Sequence, residues 1–428
     1  MKELIKRINS KSSRIGIIGL GYVGLPLCIR FAKSGYRIVG FDIDRNKIDK
    51  LKKGISYINH LDFNYLKRIQ RKGSIFVSDF SLISKVDIII LCLPTPLKKN
   101  NTPELKFIKD TLKNIKKFFK KNQILVLEST TYPGTTEEIV APVLTKKFTL
   151  GQDYFLVYSP EREDPGRNNI NLKNIPKVLG GFTKNCSIVG EKIYSKAFKK
   201  IIKVDNLKIA ELTKLLENIY RSVNIGLVNE MKIISDKMNI DIHKVIKASS
   251  SKPFGFKAFY PGPGLGGHCI PIDPLYLTWK AKKYGINTNF IKLSAITNKK
   301  ITYWVLSKLL KKIKKIKKPK ILILGVAYKK NIDDIRESPA LKIMEVLAKK
   351  KIVFQYYDPY INKIPKNRNY YKNIKSIKIS AKKIKSFDAL LLITDHDVIN
   401  WSMIQKNAKL IIDTRNVYIK NYSNVVKA

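Results

Sequence analysis

The segment Tyr260-Pro261-Gly262-Pro263-Gly264-Leu265-Gly266-Gly267-His268-Cys269-Ile270-Pro271-Ile272-Asp273 sets a single cysteine at the end of a run of glycines and prolines. Glycine is poorly suited to helix and strand interiors, so the segment reads as a loop shaped to let a ligand come close. Cysteine is an effective nucleophile when a cation or backbone amides favour its thiolate. The flanking glycines could aim amides at that thiolate or at a developing oxyanion. Asp273 could act as a base through a water or orient the thiol, and His268 is the rival base. A buried structural cysteine is the commoner use of this residue type, so the loop by itself leaves packing open as well.

An oxidant is suggested far upstream. Gly19-Leu20-Gly21-Tyr22-Val23-Gly24 follows the apolar run Arg14 to Ile18 and precedes a helical pattern, Leu25 to Lys33. In a dinucleotide-binding turn the first glycine permits the tight bend and the second admits the pyrophosphate. The third allows close helix packing, with the phosphates at the helix N-terminus. Asp42, at the end of a second predicted strand, is the acid expected about 20 residues on. It would accept hydrogen bonds from a ribose diol and repel a 2′-phosphate, which favours NAD over NADP. Lys47, counted with this cofactor site, and Arg45 soften that preference without reversing it. Thr95 and Thr130 close later strands at their carboxyl ends, where an open α/β sheet binds ligands, and turn chemistry competes for both.

On a predicted helix, Lys214 and Asn218 stand four residues apart and share a face. A lysine there could stabilise an alkoxide or hemithioacetal oxygen, although spacing alone does not separate it from the other lysines. Tyr158-Ser159-Pro160-Glu161-Arg162-Glu163-Asp164-Pro165-Gly166 follows a strand and fits either the substrate end of a sheet or a surface turn.

The elements that must position these groups alternate as strand and helix: Arg37 to Asp42, Val86 to Leu93, Ile124 to Glu128, Tyr154 to Tyr158 and Lys177 to Gly180. That spacing predicts an α/β fold with a doubly wound parallel sheet. From about Asn206 the period changes. Ile209, Leu212, Leu215, Leu216, Ile219, Val223, Leu227 and Met231 fall at helical spacing over Leu207 to Lys237, a length suited to bridging domains or pairing with a second copy. Strand signals resume at Lys320 to Val326, Val353 to Tyr357, Ala389 to Ile393 and Lys409 to Asp413, a second, smaller α/β domain. Gly325 stands there without the matching glycine pattern, so it does not read as a tandem copy.

The chain has 428 residues, 44% hydrophobic, enough for two or three domains. No stretch is long enough for a membrane helix, and Met1 to Ser13 lacks a signal peptide's apolar segment, so a cytoplasmic location and no membrane partner are the expectation. The net charge of +50 invites a nucleic-acid partner. The excess is mostly lysine spread along the chain, whereas nucleic-acid readers concentrate arginine and aromatics at the contact. We therefore expect no nucleic-acid partner. Cys28, Cys92, Cys186 and Cys269 form no CxxC pair, so neither a disulfide framework nor a metal site is expected. Cys28 and Cys92 read as small core residues.

Gly19 to Gly24, Ser129-Thr130, Ser159-Pro160-Glu161-Arg162, Lys214 with Asn218, Gly266 to Asp273 and Lys329 to Ser338 occur in an order that resembles the UDP-glucose/GDP-mannose dehydrogenases over nearly the whole chain. Ser159 to Gly166 and Phe254 to Tyr276 look most like the UDP-N-acetyl-D-glucosamine 6-dehydrogenases of bacterial surface-polysaccharide (lipopolysaccharide) pathways. The resemblance implies two Rossmann-like doubly wound parallel-sheet domains joined by a central helical domain with a long helix. The divisions would be 1–205 for NAD, 206–312 for the cysteine loop and dimer interface, and 313–428 for the UDP-sugar. It implies a homodimer or higher homo-oligomer and two successive hydride transfers to NAD without aldehyde release.

By the same resemblance Cys269 is the nucleophile, Lys214 and Asn218 stabilise the oxyanion, and Asp273 assists as acid or base. Thr130 and Glu161 place the catalytic water, with Glu161 a base in hydrolysis. Lys329 and Arg415 contact the nucleotide-sugar together with Arg162, Tyr260 and Gly266, and Arg336 reaches the NAD. Relatives with a longer acidic loop carry a second glutamate where this chain has Pro165, which leaves Glu163 without an assigned role. UDP-N-acetylglucosamine is the expected sugar, with UDP-N-acetylmannosamine, UDP-N-acetylgalactosamine and UDP-glucose behind it. A two-electron hydroxyacid-type dehydrogenase would share the cofactor turn and long helix but would not need Cys269. A basic binding protein on the same fold is the third reading.

Overall fold

The computed structural model describes residues 1–58, 61, 63–98, 100–162, 174–267, 269–365 and 373–428, and of Phe63 and Cys269 only the backbone. Its contacts divide into two compact units, one of Met1–Glu217 with Leu275–Ile286, the other of Asn218–Pro274 with Asn287–Ala428. The helix Leu207–Lys237 passes from one into the other.

The first unit is built on an eight-stranded sheet: β1 (Arg14–Ile18), β2 (Arg37–Phe41), β3 (Ile75–Val77), β4 (Ile88–Leu91), β5 (Gln123–Leu127), β6 (Tyr154–Tyr158), β7 (Lys177–Gly181) and β8 (Ile201–Val204). Their order is β3-β2-β1-β4-β5-β6-β7-β8. The first six strands are parallel in the order of a dinucleotide-binding sheet, whose ligand crevice lies between β1 and β4. β4 (Ile-Ile-Ile-Leu) and β5 (Gln-Ile-Leu-Val-Leu) are buried along their whole length, as strands covered on both faces must be. Each such aliphatic side chain contributes about 1.5–3 kcal/mol on burial.

Two features depart from the sequence reading. β7 does not continue the parallel pattern: it pairs antiparallel with β6, with Val157 opposite Gly181 and Tyr158 opposite Gly180. β3 and β8 are edge strands of three and four residues with exposed positions, too short to stand out in the sequence.

The second unit holds β9 (Lys320–Leu324), β10 (Val353–Tyr357), a two-stranded ribbon of β11 (Lys363–Ile364) and β12 (Ile374–Lys375), then β13 (Ala389–Leu392), β14 (Ile411–Asp413) and β15 (Val425–Lys427). Its five-stranded parallel sheet runs β10-β9-β13-β14-β15, the other common doubly wound order. Alternate residues face opposite layers: Ile321, Ile323 and Leu391 pack with the helices Asn289–Ile313 and Pro339–Lys349, and Leu322, Leu324 and Leu390 with Ile384 and Ile404.

Gly325 lacks the glycines that follow Gly19, as its sequence shows, yet it makes the first half of the same turn. Gly19 (φ +93°) donates its N–H to Phe41 O at 2.8 Å, and Gly325 (φ +77°) donates to Tyr357 O at 2.8 Å. The glycines that followed Gly19 are what the second turn lacks.

Candidate active site

At the carboxyl end of β1, an added Cβ on Gly19 would lie 2.4 Å from Cys92 O, and one on Gly24 would lie 1.9 Å from Gly19 O. Both positions require glycine. Gly21 differs, since nothing lies within 4 Å of an added Cβ. The helix Gly24–Lys33 begins at Val23 with no side-chain cap and no acid in its first turn, so no carboxylate competes with a phosphate at its N-terminus. Asp42, 7% exposed, accepts Leu20 N at 2.9 Å on Oδ2 and Asp44 N at 2.9 Å on Oδ1. Lys47 Nζ reaches Oδ2 at 3.4 Å. A carboxylate held this way keeps acceptor capacity on Oδ1 for a diol. An open cradle, an uncapped helix start and an oriented acid fit a bound dinucleotide.

Thr95 and Thr130 come together at the ends of β4 and β5: Thr95 Oγ1 donates to Thr130 O at 2.8 Å, and the Ser129 hydroxyl accepts Leu93 N at 2.9 Å. The Thr95 hydroxyl thus ties two strand ends together. Tyr276, fully buried, donates to Thr95 O at 2.9 Å and steadies the same corner.

Glu161 follows β6. Its Oε1 accepts the Arg162 N–H at 2.6 Å, and its Oε2 accepts Lys177 Nζ at 3.2 Å. Lys177 also donates to Glu128 Oε2 at 2.5 Å, and Tyr194 OH donates to Glu128 Oε1 at 2.5 Å. Side-chain exposure is 2% for Lys177, 0% for Glu128 and 17% for Glu161. Burial pushes the Glu128 carboxyl up to about 7, against the opposing pull of Lys177. Burial works against the Lys177 cation, but the two carboxylates outweigh it and hold its pKa above the usual lysine value. Breaking such a buried pair by removing one partner typically costs about 3–5 kcal/mol. Arg162 is held by Glu217, Nη2 to Oε1 at 2.5 Å, and donates from Nη1 to Pro176 O at 2.7 Å. Sequence reasoning named Glu161 and Arg162 and missed Glu128, Lys177 and Glu217. The cue was present as a lysine opening an otherwise apolar strand.

Lys214, only 8% exposed, takes no hydrogen bond or ion pair among the described residues. A buried ammonium without a carboxylate is costly, and a developing oxyanion would supply its partner. Three residues earlier, Glu211 is fully buried; it accepts Gly134 N at 2.5 Å, Thr136 N at 2.9 Å and Thr136 Oγ1 at 2.7 Å. It fixes the loop that follows Thr130 and was also missed. Burial raises its pKa to about 7 despite those donors.

In the second unit Asn218 Nδ2 donates to Asp273 Oδ2 at 2.5 Å, with both residues buried. The cysteine loop proves packed as well as open. An added Cβ would lie 2.5 Å from Arg415 Nη1 at Gly262, 2.3 Å from Thr302 Oγ1 at Gly264 and 2.5 Å from Tyr328 Cβ at Gly266. Gly267 (φ +81°) donates to Arg336 O at 2.8 Å. These glycines admit protein side chains, so close approach of a ligand is not needed to explain them. Arg415 donates from Nε to Ile393 O at 2.8 Å, and burial lowers its pKa. Arg336 forks onto Asp334, with Nε 2.9 Å and Nη2 2.6 Å from Oδ2. Tyr260 is 58% exposed and stacks on His243 with ring centroids 6.2 Å apart. Lys329 is half-buried. Cys269 is the first residue of the helix Cys269–Lys282; its side chain, His268 and Glu163 lie outside the described residues.

A dinucleotide turn with its acid, a second doubly wound unit and a glycine loop leading to a cysteine define a nicotinamide-dependent dehydrogenase with a separate nucleotide-binding domain. Family models agree: the NAD-binding domain of the UDP-glucose/GDP-mannose dehydrogenase family matches residues 13–198, its central domain 208–300 and its UDP-binding domain 322–420. The chain belongs to the UDP-glucose/GDP-mannose dehydrogenase family, and it is an NAD-dependent nucleotide-sugar dehydrogenase.

It is 35% identical to the UDP-N-acetyl-D-glucosamine 6-dehydrogenase of Pseudomonas aeruginosa over 82% of this chain and 84% of that protein. It is 32% identical to the UDP-N-acetyl-D-mannosamine dehydrogenase of Pyrococcus horikoshii over 94% and 96%. A solved structure of the UDP-D-ManNAc dehydrogenase from Pyrococcus horikoshii superposes with a TM-score of 0.86 at 30% identity, covering 97% of this chain and 98% of that one. Among the described residues no helix is long and apolar enough to cross a membrane, and no acidic, cysteine or histidine cluster could hold a metal ion.

Two predictions come from this geometry. Asp42→Ala should weaken NAD use and relax discrimination against NADP, read as a fall in the ratio of kcat/KM for NAD to that for NADP. Glu211 has a raised native pKa, so its contribution to stability is complete below about pH 4.5 and lost as pH rises through about 7. The melting temperature of Glu211→Gln should therefore vary less with pH across that window than the parent's; an equal slope would contradict the assignment.

Proposed function

We propose that this chain oxidises the C6 hydroxyl of a UDP-N-acetylhexosamine to the uronic acid, with UDP-N-acetyl-D-glucosamine the favoured sugar. The product serves surface-polysaccharide synthesis in the cytoplasm, where NAD and nucleotide sugars are found. The observation that carries the reading is the buried Lys214 ammonium without a partner among the described residues, on the helix that also bears Asn218 hydrogen-bonded to Asp273. Two UDP-N-acetyl-D-glucosamine 6-dehydrogenases are 35% and 34% identical over 82% and 90% of the chain, beside 30–32% over 86–98% for the UDP-N-acetyl-D-mannosamine enzymes, so the choice of sugar rests on the resemblance of Ser159 to Gly166 and Phe254 to Tyr276 to the former.

Residues 1–205 would hold NAD through Gly19, Gly21, Tyr22, Val23, Gly24, Asp42, Lys47, Thr95 and Thr130, with Arg336 contributing from the last domain. Residues 206–312 would present the reacting side chains, and 313–428 would hold the UDP through Lys329 and Arg415, with Arg162, Tyr260 and Gly266 completing the sugar contacts. When bound, NAD+ supplies the two-electron acceptor for each oxidation. Lys214 stabilises the C6 oxygen as its proton leaves, and Asn218 supplies a second donor. Cys269 then adds its sulfur to the aldehyde carbon, giving a thiohemiacetal whose oxygen faces the same two donors. A helix N-terminus is a favourable place for a thiolate. Loss of the second hydride leaves a thioester on Cys269. Glu161 takes a proton from water as the water oxygen attacks, with Thr130 placing that water. The C–S bond breaks and the carboxylate is released, while Asp273 orients Asn218 and exchanges protons at the cysteine.

A homodimer is part of the proposal. On the long helix Leu215 and Ile219 are buried, but Leu212, Leu216, Tyr220, Leu227 and Ile234 are 43–64% exposed, an apolar stripe suited to a second copy.

With UDP-N-acetylglucosamine, UDP-N-acetylmannosamine, UDP-N-acetylgalactosamine and UDP-glucose offered in parallel, the preferred sugar should yield two NADH per molecule. Cys269→Ala should yield at most one and form no uronate; a single NADH per sugar in the parent enzyme would sink the thioester scheme. Leu216→Glu combined with Leu227→Glu should shift the sedimentation coefficient from dimer to monomer.

A further inference from the structure

The first unit contains a buried ion triad that chain topology builds for Glu161. β6 and β7 are antiparallel with Val157 opposite Gly181 and Tyr158 opposite Gly180, and continuing that register past the end of β6 sets Glu161 opposite Lys177. On the other side, β5 pairs in parallel with β6, Leu127 beside Tyr158, which brings Glu128 to the same end of the sheet. Lys177 thus bridges two strand ends, donating to Glu128 Oε2 at 2.5 Å and to Glu161 Oε2 at 3.2 Å. The Tyr194 and Phe198 rings cover its ammonium, with centroids 5.6 and 5.3 Å away. Of the three charged groups only Glu161 reaches solvent appreciably, 17% exposed against 2% and 0%.

We propose that Lys177, clamped by Glu128, is the positioning residue that holds the Glu161 carboxylate aimed for hydrolysis of the thioester; this rests on the Cys269 acyl chemistry proposed above. The Arg162 amide on Oε1 and the Lys177 ammonium on Oε2 together set the plane of the Glu161 carboxylate. Glu128 balances part of the lysine's charge. Without that balance the whole cation acts on Glu161 and makes it a weaker base. In the step itself Glu161 takes one proton from water as the oxygen bonds to the acyl carbon. The C–S bond then breaks, Cys269 leaves as thiolate, and the proton on Glu161 passes to solvent. Lys177 and Glu128 touch neither water nor acyl group and change charge in no step.

The test uses the full-length enzyme with excess NAD+ and the UDP-sugar the parent prefers. Glu128→Gln keeps the size of the side chain and removes its charge. Its rapid burst of two NADH per active site should be retained, and kcat/KM for the UDP-sugar should be unchanged, KM falling together with kcat. The following steady-state kcat should fall about tenfold or more, since loss of a general base costs roughly 10²–10⁴-fold. Intact-protein mass spectrometry should find the uronyl adduct accumulating on Cys269. Glu161→Gln, at the least buried member, should give the same burst and adduct, and the double variant Glu128→Gln/Lys177→Met, which leaves no unbalanced pair, should do likewise.

An unchanged kcat in Glu128→Gln overturns the proposal. So does a slow variant that has lost the burst, or Glu161→Gln turning over at the parent's rate. If Glu128→Gln does not fold, the double variant decides by the same criteria, and if that also fails, Glu161→Gln does. One NADH per sugar in the parent would instead overturn the thioester reading beneath it.

Discussion

Charge placed at the buried carboxyl ends of the first sheet has to be met by opposite charge or by backbone amides, and the site is arranged around that requirement. Asp42 is met by the amides of Leu20 and Asp44, Glu211 by those of Gly134 and Thr136, and Glu128 by Lys177 and Tyr194. Each arrangement pins a loop that carries a candidate functional group: the dinucleotide turn, the segment after Thr130 and the segment containing Glu161. Burial of an ionised group without such partners is prohibitive, so these contacts order the loops before any ligand arrives. Lys214 is the exception among these groups, a buried cation with no partner among the described residues, which suits a group that works on a transient negative charge.

Glycine is used in two distinct ways. At Gly19 and Gly24 it allows backbone to meet backbone, and at Gly21 it leaves open space. In the cysteine loop, Gly262, Gly264 and Gly266 make room for Arg415, Thr302 and Tyr328. There the loop is fixed by the side chains of its own unit, and Arg415 and Tyr328 are fixed with it. Buried amides extend the same clamp: Gly262 N donates to Asn229 Oδ1 at 3.0 Å, and Asn229 Nδ2 donates to Asn298 Oδ1 at 2.9 Å.

The two units share one turn and use it differently. Asp358 stands at the end of β10 as Asp42 stands at the end of β2, and its Oδ2 accepts Val326 N at 2.7 Å and Ala327 N at 3.0 Å. Its Oδ1 accepts the amides of Tyr360 and Ile361, and His396 Nε2 lies 3.1 Å from Oδ2. Those contacts engage both oxygens and hold the carboxyl below the usual range against the cost of burial. Asp358 is 1% exposed, closed off as a structural brace, whereas Asp42 keeps acceptor capacity at an open cradle.

Local pattern alone determined a good deal. The helix Leu207–Lys237, the strand Val353–Tyr357 and the turn after β1 were legible because apolar period and glycine position are local properties. So were Asp42, Glu161, Lys214, Asn218 and Asp273 as candidates, since their order along the chain resembles a family that uses them. The antiparallel turn of β7 was not legible, nor were Glu128 and Glu211 as buried carboxylates, nor the closed state of Asp358. Residue type does not state burial or partner, and the ion pairs join residues far apart in the chain, 49 positions for Glu128 with Lys177 and 55 for Arg162 with Glu217. Only when the strands pair and exclude water does one lysine among many become the cation that two carboxylates require.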